Sequence, residues 1–230
     1  MYHKTKETER KLLHRLNRRS GVLTLLVLSN YYRRYQPHRR LPLLEGAVHC
    51  GWLNHDARVW FHYGEALEWE DAAQTPPGSR HASLPCSWSA YRKATELDPN
   101  HAEAWFAQGR ILKSRFPLAP TVEMTVEAFR RAVAANPNNV AYRCWLGSML
   151  AYGPCRPEEG AQVYEDALRL SDQGAQSDHW WFTLAEIYFR KLGHHQDAKR
   201  CIDMAISVHP NHHVYRQLEE EINRALDEVA

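Results

Sequence analysis

Apolar residues recur at three-residue steps in short stretches bounded by prolines and polar residues. Tyr91, Ala94 and Leu97 mark one face of a predicted helix. Pro99 ends it, because proline lacks an N–H and restricts the residue before it. Asn100 is the predicted N-cap of a following helix, and Glu103 can answer it as in a capping box. That helix carries Trp105 and Gly109 on one side. The same two-helix unit then returns. Phe129-x-x-Ala132 precedes Pro137-Asn138-Asn139 and Leu146-Gly147; Tyr164-x-x-Ala167 precedes Ser171-Asp172 and Trp181-x-x-Leu184-Ala185. Ile202-x-x-Ala205 precedes Pro210-Asn211-His212. The alanines Ala94, Ala132, Ala167 and Ala205 are 38, 35 and 38 residues apart.

Upstream, Trp60, Tyr63, Gly64 and Leu67 give unit one a similar first helix. A polar stretch rich in Pro, Gly and Ser, residues 71–85, reads as a long loop before its second helix. Phe116 to Pro120 lengthens the turn inside unit two. Arg156-Pro157-Glu158-Glu159 opens a helix in unit three, with proline in the first turn and acids where the helix dipole favours them. Before the repeats, three helices are expected: 5–19, 22–35, and 43–53, with Pro37 and Pro42 closing the middle one. The last stretch, about 213–229, shows Leu218, Ile222, Ala225 and Val229 on one face and a strongly polar remainder. An open array needs such a polar-faced terminal helix. The expected division is an N-terminal extension 1–55, an array 56–211 (units 56–100, 101–138, 139–174 and 175–211), and a capping helix 212–230.

A period near 34 residues with two helices per unit has a known parallel. From about Asp56 onward the chain resembles the tetratricopeptide repeat (TPR) family. The resemblance implies an all-α solenoid of about four helical hairpins, with the first helix of each unit lining a concave groove. Aligning Trp60, Trp105, Arg143 and Trp181 gives the groove positions. These are Arg58, Phe61, Glu65 and Trp69 in unit one, and Glu103, Phe106, Arg110 and Lys113 in unit two. Unit three supplies Cys144, Ser148 and Tyr152; unit four supplies His179, Phe182, Glu186, Phe189 and Arg190. Phe61, Phe106, Phe182 and Phe189 are the expected anchors, since aromatic residues amid polar ones are what interfaces concentrate. Arg110 and Arg190 are expected to meet acidic groups of the ligand. TPR domains that hold acidic chaperone tails use a clamp of Lys, Asn and Arg; its positions fall here on Phe61, Glu65, Ala107, Ala141 and Trp145, and none matches. The implied function is non-catalytic: a scaffold, adaptor or chaperone-like module holding a protein or peptide segment.

Charge adds a second theme. Residues 1–40 hold eleven Lys and Arg against Glu7 and Glu9, a net of +9. The other 190 residues hold eighteen basic and twenty-five acidic side chains, a net of −7. Such asymmetry points to an acidic partner or to the protein's own body. Arg33, Arg34, Arg39 and Arg40 beside Tyr31, Tyr32 and Tyr35 offer an alternative, a nucleic-acid arm. A further alternative is a membrane-peripheral adaptor with residues 11–28 lying on anionic lipid. The run Gly21 to Leu28 falls far short of the roughly 20 residues that span a bilayer. Five scattered cysteines without a CxxC pair suggest a reducing compartment, the cytoplasm, with a mitochondrial address as alternative. Fourteen histidines gather most densely at His194, His195, His209, His212 and His213, all at turns. With no H-E-x-x-H, P-loop or G-x-S-x-G, no metal, cofactor or enzymatic activity is expected.

Overall fold

The computed structural model describes residues 21–51, 53–74, 84–115, 119–153, 156–170 and 178–228. Among these there are eleven α-helices and no strand. In chain order they are α1 Gly21–Tyr35, α2 Pro37–Val48, α3 Ala57–Gln74, α4 Leu84–Leu97, α5 Ala102–Arg115 and α6 Ala119–Ala135. They continue with α7 Val140–Tyr152, α8 Pro157–Arg169, α9 Asp178–Ile187, α10 His195–Val208 and α11 His213–Asp227. The expected helix 5–19 lies outside the described residues.

Several boundaries differ from the sequence reading, most of them at proline. Pro37 starts α2 rather than closing α1, because a first-turn N–H has no helical partner to lose. Pro42 lies inside α2 and is buried; the helix tolerates the missing bond while its neighbours Leu43 and Leu44 are fully buried. The second helix therefore covers 37–48 rather than 43–53. Residues 71–74 continue α3, and α4 already begins at Leu84 with Pro85 in its first turn. The polar composition of 71–85 had suggested loop throughout; residues 75–83 are outside the described set.

The chain divides into two compact units, 1–111 and 112–230. In the first, α1 and α2 put Leu25, Tyr32, Leu43, Ala47 and Val48 into a core completed by Leu53 and Val59, with Trp60 and Tyr63 of α3 against it. A second cluster joins Ala57, Ala94 and Ala104 to Trp60, Phe61 and Leu97. The extension is thus part of the folded core. In the second unit one cluster runs from Cys144 through Tyr164, Ala167, Leu184, Ile202 and Ala205 to Leu218 and Ile222.

The paired helices approach closely where the first carries glycine. A Cβ on Gly147 would stand 2.6 Å from the Tyr164 ring and 2.9 Å from the Gly160 carbonyl oxygen. A Cβ on Gly64 would stand 2.6 Å from the Tyr91 ring. Glycine's lack of a side chain is what lets α3 meet α4 and α7 meet α8 at this distance.

The turns are held by a bond repeated along the chain. The Trp60 indole N–H donates to the Asn54 carbonyl at 2.7 Å, and that of Trp105 to the Pro99 carbonyl at 2.8 Å. Arg143 Nε donates to the Pro137 carbonyl at 2.8 Å, and Arg216 Nε to that of Pro210 at 3.0 Å. Each donor reaches six residues back and ties the start of a first helix to the turn behind it. Tryptophan and arginine share the position because both place a planar N–H on a long side chain. Arg216 shows that α11, expected only as a cap, is built like a further first helix.

One cap differs. Asn100 lies a residue before the helix flank, and its own N–H is taken by the Asp98 carboxylate at 3.0 Å. Asn139 does cap α7, accepting from the Tyr142 N–H at 3.2 Å. Replacing Gly147 by Ala must push two backbones apart and should cost about 1–3 kcal/mol. The urea unfolding midpoint should fall clearly, more than for Gly64→Ala, where only a tyrosine ring has to move.

Candidate functional site

In the first unit the extension closes over α3. Arg40 is only 4% exposed. Its Nε donates to Ser29 Oγ at 3.2 Å and its Nη2 to Glu65 Oε2 at 2.7 Å, with His62 Nδ1 at 3.2 Å from the same nitrogen. His62 Nδ1 also lies 3.0 Å from Glu65 Oε2, and Arg33 Nη1 3.8 Å from Glu65 Oε1. Burial alone would raise the Glu65 carboxyl; hydrogen bonds from His62 and Arg40, with their charge, overcome it and hold the group down at about 2.

Two sequence assignments change here. Glu65, expected to face a ligand, is engaged by the extension. Arg40, expected on an exposed basic arm, is an internal ion-pair partner, because the α1–α2 hairpin turns its inner face onto α3. Arg39 stacks its guanidinium 4.7 Å from the Tyr32 ring centre and donates to Gln36. Of the four arm arginines, Arg33 and Arg34 are the exposed ones.

The expected anchor Phe61 is half-buried, its ring 5.6 Å from that of Tyr91 and 4.9 Å from His101. It packs between α4 and the start of α5 instead of standing free. Phe106 is also half-buried. Arg110, expected to pair with a ligand, donates to the Glu68 carboxylate of its own chain. Trp69 is exposed on α3.

In the second unit, helices α7, α9 and α11 bring a polar–aromatic set together. Tyr152, at the end of α7, is 44% exposed. Its hydroxyl is pushed up to about 12 by partial burial and by the charge of Glu186, with Arg190 opposing. The Lys191 ammonium stands 5.4 Å from the Tyr152 ring centre. Arg190 Nη2 donates to Glu221 Oε2 of α11 at 3.0 Å, and its Nε lies 3.6 Å from Glu186 Oε1. The Lys113 ammonium sits 4.3 Å over the Trp145 ring.

A π-helical turn, Tyr188–Leu192, follows α9 and ends at Gly193 in the left-handed conformation, φ 67°. It sets the direction of Phe189, Arg190 and Lys191, and no pattern in the sequence announced it. Lys191 was accordingly missed as a site residue. Phe182 stacks on Tyr215 at 4.9 Å, and Phe189 meets His195 edge-on at 5.5 Å. Both are packed internally rather than projecting, since α11 and the start of α10 offer them rings. Arg190, like Arg110, is already paired within the chain.

The cysteines Cys50, Cys86, Cys144 and Cys201 are free thiols. Burial pushes Cys144 and Cys201 up to about 12. Among the described residues no three His, Cys, Asp or Glu side chains are placed to hold a metal ion.

A family model described as tetratricopeptide repeat matches residues 90–115, the hinge from α4 into α5. No curated protein matches the chain in sequence. Solved structures do match in fold. YrrB, described as a TPR protein with an unusual peptide-binding site, superposes with a TM-score of 0.66 at 14% identity, covering 85% of this chain and 90% of YrrB. Pseudomonas aeruginosa PilF gives 0.69 at 14% identity, over 91% and 86% of the two chains. MamA residues 41 to the end, from Desulfovibrio magneticus RS-1, give 0.63 at 18% identity, over 84% and 97%.

The Glu65 carboxyl sits below its ordinary 4.5 in the fold, so the stability it adds is complete above pH 4.5 and lost as the pH falls toward 2. The contribution is at most about 3 kcal/mol. Hydrogen-exchange protection of α1 and α2 should decline over that window in the native chain. Glu65→Gln should lower protection at neutral pH and flatten its decline in acid; equal profiles would contradict the role given to this carboxylate.

Proposed function

We propose, from the premise that this chain is a tetratricopeptide-repeat protein, that it is a non-catalytic protein–protein interaction module, a scaffold or adaptor. The partner is an extended segment of another protein, held on the first helices of the second unit. The observation that carries this reading is the exposed Tyr152 with Lys191 over its ring and Glu186, Arg190 and Glu221 beside it. A tyrosine in such a setting offers contact area at low entropic cost and a hydroxyl for a peptide backbone. The paired carboxylates and arginine supply acceptors and donors in a fixed order, suited to a segment carrying both charges rather than to a purely acidic tail.

Fold alone does not name a ligand. YrrB's described peptide-binding site lends the reading an analogy and no residue assignments. Phe61 and Phe182 contribute by holding helices in place, and the contact role passes to Tyr152 and Lys191. The free thiols fit a reducing compartment, and we place the protein in the cytoplasm.

The test compares native protein with the double variant Tyr152→Ala, Lys191→Glu as baits, with the captured segment mapped by cross-linking from position 148. Both side chains are exposed, so helicity should be unchanged. Retention of the partner should fall at least about tenfold, equivalent to roughly 1.4 kcal/mol. Equal retention, or a cross-link map that avoids α7 and α9, would place the binding elsewhere.

A further inference from the structure

Helix α1 has two apolar faces. Leu25, Ser29 and Tyr32 point inward and are buried against α2 and α3. On the opposite side Leu23, Val27, Tyr31 and Tyr35 follow one another at four-residue steps. Leu23 is 60% exposed and Val27 70%, and both tyrosines are exposed as well. The stripe winds obliquely along about 18 Å of the helix. Soluble surfaces scatter large apolar residues singly, and a contiguous line of four marks a contact surface.

The chemistry around the stripe selects what covers it. From Gly21 to Leu44 the described sequence has no Asp or Glu and four arginines, of which Arg40 is buried. Arg34 lies in the stripe and is exposed, 5.6 Å from the Tyr35 ring centre, whereas Arg33 turns toward Glu65 of α3. A second copy of the chain would bring two such cationic segments together, which like charge opposes. A nucleic acid would accept the arginines and stack on the tyrosines but has nothing to offer Leu23 and Val27. An anionic bilayer surface suits all of them. Aliphatic side chains enter the acyl boundary, tyrosines sit at headgroup level, and arginines meet lipid phosphates. Among the described residues no helix is long and apolar enough to cross a membrane, so α1 would lie along the surface.

We propose that the outer face of α1 is a membrane-docking surface for anionic lipid, with Leu23 and Val27 inserting and Arg34 engaging headgroups. The helix already has its inner face sealed, so docking requires no unfolding of the extension. Membrane contact and partner capture then use different parts of the chain, and either can fail without the other.

Flotation of the full chain with phosphatidylcholine vesicles, with and without about one-third phosphatidylserine, tests this. The chain should float with the anionic vesicles and not with the neutral ones. Leu23→Asp with Val27→Asp should reduce flotation tenfold or more at unchanged helicity. Arg34→Glu should reduce it less, and high salt should weaken the native chain's binding. A second pair, Tyr31→Ser with Tyr35→Ser, should reduce flotation too and guards against a folding artefact in the first. Absence of flotation, or undiminished flotation of both pairs, overturns the proposal. So does a native dimer that becomes monomeric with Leu23→Asp and Val27→Asp. Tight binding to a single-stranded oligonucleotide, unaffected by the aspartates and without vesicle binding, overturns it in favour of nucleic acid.

Discussion

The distance between the two helices of a hairpin governs this structure. At Gly147 a methyl group would collide with both a tyrosine ring and a backbone carbonyl, and at Gly64 with a tyrosine ring. Only with that space empty can Tyr91 and Tyr164 lie flush against the first helix of their own hairpins and bring the following alanines, Ala94 and Ala167, to zero exposure. The indole and guanidinium bonds that reach six residues back then fix where each new first helix starts. Packing sets the spacing and these bonds set the restart. Together they explain why positions as different as Trp60 and Arg216 serve one purpose.

The same economy accounts for most surface ionic contacts. Arg110 with Glu68, Arg130 with Glu159 and Arg190 with Glu221 join helices that lie many residues apart. Exposed pairs of this kind add little stability each. They do fix side-chain directions, and they occupy arginines that would otherwise greet an acidic ligand. The Arg40 and Glu65 pair is different in kind, because Arg40 is buried and its loss would leave a largely enclosed carboxylate with only His62 and the more distant Arg33 beside it.

The helical hairpins were legible because their signals are local. Pro99, Pro137 and Pro210 stop helices wherever they occur, and the period of Tyr91, Ala94 and Leu97 needs only adjacent residues. Boundaries failed at Pro37, read as closing a segment, and at Pro85, counted with the loop, although each stands in a first turn. The site was far less legible. Arg40 meets Glu65 across 25 residues, and Phe182 meets Tyr215 across 33. Nothing in the spacing distinguishes an aromatic side chain that faces solvent from one that meets a ring on the next helix. The π turn at Tyr188–Leu192 was invisible for a related reason: it depends on how the helix end is packed, with Gly193 only permitting its exit.

The N-terminal extension carries a helix with apolar residues on two faces. A helix buried on a single side carries a single apolar stripe. In α1 the inward stripe accounts for Leu25 and Tyr32, whereas Leu23 and Val27 gain nothing from the fold, being left in water. Exposed aliphatic residues add little native stability, and their alignment is the feature on which the proposed lipid contact rests. In that proposal Arg34 selects an anionic surface, and the aliphatic side chains select one with an apolar interior. The buried Arg40 supports the same view from inside. By tying α2 to α3, it holds the α1–α2 hairpin in an orientation where the inner face is satisfied and the outer face remains presented.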